Sequence, residues 1–288
     1  MLQLVSLIEL IRPLEWSKSL ANMVIAALTA AMLYSIHVDL FLFLQGFVSV
    51  VLLWSGLYAL NDYTDRKADA LHSVKKERPI PSGRAKPGTA LIFSFALVAL
   101  SGMIAVQLNK LVFFSWTIML ANQLFYTMKP FEFKKKPVLD LISGSLVNPV
   151  FRFYYGWLLF VPAFNAPLAV LLFILGIQFG GYGLYRMMSK SHEKKLGIEG
   201  SVVVFGEQKI KTIFYIAIII GAISYFVSAL AVWKQSYILL GIISILPLPL
   251  YYNALKKPGK ADMKKMYKTV YLHDLLFIAG FVIVFLFF

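Results

Sequence analysis

Three aspartates, Asp62, Asp65 and Asp69, follow one another at spacings of three and four in the stretch Asn61-Asp62-Tyr63-Thr64-Asp65-Arg66-Lys67-Ala68-Asp69. On a helix those spacings bring all three carboxylates to one face. Like charges gathered at a helix end repel each other, and a divalent cation removes that penalty. Magnesium takes oxygen ligands, keeps several of its waters, and is held by one or two carboxylates together with substrate phosphates. The face therefore suits a metal-bridged diphosphate, and its spacing does not match a calcium-binding loop. Directly after it runs Lys75-Lys76-Glu77-Arg78-Pro79-Ile80-Pro81-Ser82-Gly83-Arg84. That segment sets Lys76 and Arg78 beside the carboxylates, where phosphate oxygens can be neutralised. The bland alternative is a solvated loop with scattered charge, which rarely produces this spacing at the end of an apolar helix.

Two further groups carry chemistry. Tyr182, Arg186 and Lys190 recur every four residues on one helical face, in a stretch from 182 to 195 that holds no aspartate. Cations so placed grip phosphate directly, or else anchor a helix end at a basic membrane face. Asp140, Gly144, Asn148, Arg152 and Gly156 also recur every four residues. Arg152 lies well inside an apolar block, and an arginine at such a depth is costly unless it meets a polar cavity or a partner. One reading is a buried pair between helices, with the glycines allowing close packing. The other is a wall of the substrate cavity, with Asn148 and Arg152 facing phosphate. His273 and Asp274 in the last apolar block are read as structural.

The elements that position these groups are membrane helices. Of the 288 residues, 59% are hydrophobic and the mean hydropathy is +0.75, whereas soluble domains are about 45–50% apolar. The apolar residues come in blocks of roughly 17–24, long enough to span a bilayer as helices. The blocks fall at 15–36, 39–60, 88–107, 110–128, 138–160, 165–185, 210–232, 235–254 and 267–288. These predict an all-α integral membrane protein of about nine transmembrane helices, forming one domain over 1–288. A membrane β-barrel would alternate apolar and polar residues, and runs such as VLLWSGLYAL do not. The first block starts after Arg12 and Lys18 and lacks a small-residue cleavage site, so it is expected to be retained. The sequence holds no cysteine, which excludes disulfides and thiolate metal sites.

The formal net charge is +14, and its placement decides what it means. Nearly every Lys and Arg falls in 1–14, 61–87, 129–137, 186–209 and 255–266 or at the adjoining helix ends. The opposite connections carry only Lys110 and Lys234. That asymmetry predicts a cell-membrane protein with a cytoplasmic N-terminus, cytoplasmic functional loops and an outside C-terminus. The basic face then meets anionic headgroups and phosphorylated substrates. No nucleic-acid-binding module is present. The loops after the second and sixth blocks suggest a weak internal repeat, without matching sequences.

The pattern NDxxDxxxD followed by KxxRPIxSG resembles the first signature of the UbiA superfamily, the intramembrane prenyltransferases. The resemblance is sharpest over 55–88 and extends in architecture over the chain. It implies a UbiA-like helical bundle around a central cavity. It also implies that Asn61, Asp62, Asp65 and Asp69 hold magnesium and the diphosphate of a prenyl donor. That family usually carries a second aspartate motif after its sixth helix, and this chain has Tyr182, Arg186 and Lys190 there instead. A branch of the superfamily, the polyprenyl-phosphate phosphoribosyltransferases, is similar in three respects. Arg12-Pro13-Leu14-Glu15-Trp16-Ser17-Lys18 resembles its RPxxWxK start, which brings Lys18 into the candidate site. Leu139-Asp140 through Arg152 resembles its LDx(11)R stretch, and the second motif is basic. The sequence departs from that branch at Ser19, where Asn is usual, and at Arg186, where Lys is usual.

Prenyl and phosphoribosyl transfer share a first step, in which a diphosphate departs and the carbon it leaves becomes cationic. The expectation is therefore a magnesium-dependent transferase acting on a polyisoprenoid (di)phosphate and an acceptor. Asp62, Asp65 and Asp69 would hold metal, and Arg78, Arg186 and Lys190 would hold phosphates. Prenyl transfer is the first reading and phosphoribosyl transfer to a polyprenyl phosphate the second. A lipid-phosphate transporter or a non-catalytic lipid-binding relative is a third. Transporters tend to show paired helix breaks at the membrane midplane, and no clear matched pair stands in this sequence.

Overall fold

Asp39 starts the longest helix among the described residues. Its carboxylate accepts the N–H groups of Phe41 at 2.8 Å and Leu42 at 3.1 Å, satisfying donors that the first turn leaves unpaired. In the computed structural model, which describes residues 2–72, 74–195, 197–245, 249, 251–252, 256 and 262–288, this helix (α3) runs from Leu40 to Asp69. Before it stand α1 (Leu2–Leu10) and α2 (Trp16–Tyr34). After it come α4 (Pro87–Leu108) and α5 (Lys110–Thr127). Next is a rod made of α6 (Leu139–Ile142), a π-helical turn (Ser143–Val147) and α7 (Asn148–Trp157). The chain continues through α8 (Leu168–Lys195), the short α9 (Ser201–Val204), α10 (Glu207–Ala231), α11 (Tyr237–Ile243) and α12 (Met263–Phe287).

Every described element is helical, as the unbroken apolar runs predict. Six stretches are long and apolar enough to cross a bilayer: Val5–Tyr34, Leu40–Asp69, Pro87–Leu108, Leu168–Ser191, Glu207–Ala231 and Lys268–Phe287. The predicted blocks at 110–128 and 138–160 correspond to α5 and to the α6–α7 rod, which fall outside those six. The end of the 235–254 block lies partly outside the described residues.

Small residues allow the helices to meet closely, as they do where lipid supplies no hydrophobic force between them. A Cβ on Gly156 of α7 would sit 2.6 Å from the Met23 Cα of α2, and one on Gly176 of α8 would sit 2.7 Å from the Gly221 Cα of α10. Between α3 and α4, Ser49 Oγ donates to Ser101 O at 2.9 Å, and Ser94 Oγ donates to Gly56 O at 2.7 Å. The core is aromatic: Phe153, Tyr155, Trp157 and Tyr237 are fully buried. Its hydroxyls are satisfied, Tyr155 through Ser49 at 2.7 Å and Tyr237 through Phe281 O at 3.1 Å.

Candidate active site

Thirty residues of α-helix in α3 extend about 45 Å at 1.5 Å per residue. A bilayer's hydrocarbon is about 30 Å thick, so the last turns of α3, with Asn61 through Asp69, stand at and beyond one edge of it. Asp62 and Asp69 are nevertheless almost fully covered, at 1% and 3% exposure. Three cations from two loops provide much of that cover, and a fourth, from a third loop, meets Asp65.

Arg12 reaches Asp62 from the turn after α1. Its backbone is left-handed, with φ 48°, a conformation that costs a non-glycine residue about 1–2 kcal/mol. It ends α1 and turns the guanidinium back over the Tyr58 ring, 5.0 Å from its centroid. Arg78, from the loop after α3, bridges two carboxylates: its Nη1 donates to Asp62 at 2.9 Å and to Asp69 at 2.7 Å. Lys75 stands 3.8 Å from Asp69 and also contacts Tyr185 of α8, with Nζ 5.8 Å from the ring centroid. Burial works against the Lys75 charge, but Tyr185 and Asp69 outweigh it and hold its pKa above the ordinary lysine value. Lys134, on a turn entered through left-handed Glu132, pairs with Asp65 and donates to Thr127 Oγ at 3.1 Å. Asn61 Nδ2 donates to Asp65 at 3.2 Å, and Thr127 Oγ donates to Asn61 Oδ1 at 2.9 Å.

The structure therefore brings Asn61, Asp62, Asp65, Asp69 and Arg78 together, as the spacing predicts. Lys76 is exposed on the turn Lys75–Glu77. Sequence reasoning passed over Lys75 and Lys134 as members of the site and left Arg12 as a motif letter. In a chain where every loop on one face is basic, composition does not distinguish a site lysine from an orienting one. Among the described residues no three acidic, imidazole or thiol side chains converge as a metal cage of their own. Magnesium does not require one, since it completes its shell with water and phosphate. The donor set of three carboxylates and an amide oxygen fits it in chemistry, with the present ion pairs as the competitors.

The second predicted group is built differently. Arg186 of α8 is buried, at 5% exposure, and lies between two carboxylates. Its Nη2 donates to Asp140 at 2.8 Å, and its Nη1 is ion-paired with Glu193 at 2.9 Å. Asp140 also accepts the Ser201 N–H at 3.0 Å and the Ser201 hydroxyl, so one carboxylate ties α6, α8 and α9 together. Gly200 allows this approach, because a Cβ there would strike the Arg186 guanidinium. Ser201 Oγ in turn meets the Val138 N–H at 2.7 Å, where a β-branched residue is held at φ 68°. Burial raises the pKa of Glu193 above the ordinary carboxylate value, although Arg186 and Lys75 pull it down. Tyr182 donates to Asp140 O at 3.2 Å and contacts the Tyr126 hydroxyl at 2.9 Å. Lys190 faces Glu207 at 3.7 Å.

The stripe on the α6–α7 rod is split by the π-turn, which inserts a residue into the helical register. Asp140 meets α8 and α9, and Gly144 packs on Tyr182 of α8, with a Cβ there 2.6 Å from the phenol carbon Cζ. Asn148 takes the Asn122 amide of α5 at 2.8 Å and donates to Ser143 O at 3.2 Å. Arg152 turns to α3, with its guanidinium stacked 3.8 Å from the Trp54 ring centroid. Beside Tyr58, Lys18 pairs with Glu15 at 2.7 Å, and Glu15 also takes the hydroxyls of Tyr58 at 3.3 Å and Tyr271.

The UbiA prenyltransferase family profile matches residues 22–285. The digeranylgeranylglyceryl phosphate synthase of Methanosarcina mazei is 38% identical over 119 residues, 40% of this chain and 39% of the relative. The 4-hydroxybenzoate octaprenyltransferase of Pseudomonas putida is 28% identical over 167 residues, 56% of this chain and 53% of the relative. The chain thus spans about two-fifths to half the length of these curated relatives. A UbiA homolog from Archaeoglobus fulgidus, solved with GPP and Mg2+, superimposes with a TM-score of 0.77 at 21% identity, over 97% of this chain and 99% of that one. At that identity the likeness speaks for the fold.

Proposed function

The chain belongs to the UbiA prenyltransferase family, and on that footing we propose that it ionises an isoprenoid diphosphate and transfers the isoprenoid group to an acceptor. The observation that carries this reading is the cluster at the end of α3: three carboxylates answered by Arg12, Lys75, Arg78 and Lys134. In our reading Asp62, Asp65 and Asp69, with Asn61, are the residues that would hold magnesium. When bound, the ion would supply Lewis acidity toward the diphosphate oxygens. The cations then exchange carboxylate oxygens for phosphate oxygens, so Arg12, Arg78 and Lys134 stabilise the charge that develops on the leaving group. The bond between carbon and bridging oxygen breaks with its electron pair going to diphosphate. The acceptor's nucleophile captures the carbocation and releases a proton. A site set within the membrane would keep water from that cation. An apolar groove of about 220 Å³ lined by Leu14, Trp16, Leu20, Phe47 and Leu275 suits an isoprenoid tail.

Arg186 has a different task in this account. Held between Asp140 and Glu193, it fixes the wall opposite the carboxylates, and Lys75 links the two sides through Asp69 and Tyr185. The membrane arrangement follows the same reading: nine crossings, with α5, the α6–α7 rod and the segment begun by α11 completing the six, and the carboxylate end of α3 cytoplasmic.

The test supplies the purified protein in lipid with Mg2+ and labelled prenyl diphosphate plus acceptors, or labelled phosphoribosyl pyrophosphate plus polyprenyl phosphate. Diphosphate release and the new lipid are read by mass spectrometry. A prenylated acceptor, lost in Asp65→Ala, is the expected result. A phosphoribosyl lipid assigns the chain to the second donor, which its basic second motif would suit. No turnover from either pair, in wild type and Asp65→Ala alike, refutes the transferase reading.

A further inference from the structure

The turn that joins α5 to α6 puts its lysines to two uses. α5 ends at Thr127, whose hydroxyl meets Asn61 of α3 at 2.9 Å. The residues that follow therefore stand level with the edge of the hydrocarbon, where α3 leaves it. Lys134 turns inward to Asp65, and its side chain is only 12% exposed. Lys129, Lys135 and Lys136 are exposed. Lys135 pairs with Glu132 at 2.6 Å. Among the described residues no carboxylate pairs with Lys129 or Lys136, and Lys136 lies over the Phe133 ring, 5.9 Å from its centroid. Beside these cations Phe125, Phe131 and Phe133 pack on one another, with ring centroids 4.7, 5.8 and 6.2 Å apart. Phe125 and Phe131 are nevertheless 41% and 43% exposed. Left-handed Glu132, at φ 41°, turns the chain between exposed Phe131 and inward-facing Lys134.

We propose that this turn, residues 128–136, is an interfacial wedge that takes the phosphate of an anionic glycerophospholipid, and that its seating holds Lys134 on Asp65. Half-exposed rings are poorly placed in water, and exposed ammonium groups are poorly placed in hydrocarbon. The headgroup layer suits both, as it does other segments that set phenylalanine against lysine. The rings enter the acyl boundary, while Lys129 and Lys136 reach back along their apolar stems to the phosphate. A second copy of this chain is a poor occupant, because the surrounding face is basic and would repel its like. Phe133 and Lys134 are neighbours in the chain, so a wedge that leaves the surface carries Lys134 away from Asp65. The lipid site stands by itself, whereas its effect on turnover rests on the transferase reading.

The experiment places the full chain in nanodiscs of phosphatidylcholine, alone or mixed with phosphatidylglycerol. Lipids retained on the protein are counted by native mass spectrometry, and diphosphate release is measured in the same discs. Each lysine near an anionic surface favours it about fivefold, so wild type should retain phosphatidylglycerol over phosphatidylcholine by about 30-fold, and less in high salt. The double variant Lys129→Gln/Lys136→Gln should lose that preference and keep wild-type thermal stability and turnover in phosphatidylcholine. Wild-type turnover should rise about fivefold or more with phosphatidylglycerol, and that of the double variant should not. Lys134→Gln should still retain phosphatidylglycerol yet show no rise in turnover. Equal retention of the two lipids by wild type overturns the lipid site, as does a preference that survives the double substitution. A dimer that Phe131→Ser dissociates, with no lipid preference, overturns it in favour of a second copy. Selective retention with turnover indifferent to lipid overturns the link to Lys134. Absence of turnover in every lipid counts against the transferase reading, and retention then decides the lipid site alone.

Discussion

Replacing Arg78 with Gln tests the logic of the carboxylate cluster. One nitrogen of Arg78 serves both Asp62 and Asp69, and both acceptors are buried. Hydrogen bonds to charged groups contribute about 1.5–3 kcal/mol each. Two of them, reduced because the side chain is 22% exposed, give about 2–4 kcal/mol of metal-free stability. The same substitution removes a competitor for the carboxylates, so Mg2+ should bind more tightly and stabilise the variant more than wild type. Catalysis should move the other way. If Arg78 turns to the departing phosphate, about 3 kcal/mol of transition-state stabilisation is lost, which is about 100-fold in kcat/KM. Thermal unfolding in detergent across a Mg2+ titration, paired with diphosphate release, reads all three quantities. Unchanged metal-free stability with an unchanged Mg2+ response would refute the exchange of cations between carboxylate and phosphate. Stability that falls while turnover holds within threefold would confine Arg78 to structure.

Other outcomes follow from other parts of the fold. Asp140→Asn should cost about 3–5 kcal/mol, as removal of one member of a buried pair does, and should open the segment from 197 to 206 to limited proteolysis. Gly176→Val should weaken the contact of α8 with α10 by about 1–3 kcal/mol through overpacking, seen as lower thermal stability with donor KM unchanged in the surviving fraction. Val138→Gly should stabilise the protein by about 1 kcal/mol by relieving the left-handed backbone. The Glu193 carboxyl has a folded-state pKa above its unfolded value. Its contribution to stability is therefore present below the unfolded pKa and is lost as pH rises through the folded one. Glu193→Gln should accordingly match or exceed wild type in stability at neutral pH, with the advantage vanishing in acid. A variant that is destabilised at neutral pH and not in acid contradicts that sign.

Much of the site was legible because a helix converts spacing into direction. Asp62, Asp65 and Asp69 needed only the helical period to be placed on one side, and Arg78 followed from proximity in the chain. Arg12 and Lys134 approach the same carboxylates across 50 and 69 residues of sequence, through left-handed turns that no local pattern announces. The basic spacing of Arg186 and Lys190 was visible, but Asp140 and Glu193, which determine what that arginine faces, come from another helix and from two turns further along α8. The even stripe from Asp140 to Gly156 was real as a sequence pattern. Its single-face geometry was interrupted by a π-turn, which depends on tertiary packing around Ser143–Val147. Membrane helices were clearest where apolar runs were long, and least clear in α5 and the α6–α7 rod, whose polar residues lower the hydropathy that marks a span.

The length of α3 has a consequence for where the carboxylate cluster sits. The carboxylate face and the membrane span are one unbroken rod, so the height of Asp62 above the hydrocarbon is set by how that rod sits in the bilayer. Thickening the membrane by a few ångströms would draw the aspartates toward the acyl chains, at a fraction of a kcal/mol per ångström, and tilting, which shortens the rod's projection on the membrane normal, would do the same. Lipid chain length would then act as a dial on metal access, with turnover greatest in bilayers whose thickness leaves the cluster level with the headgroups.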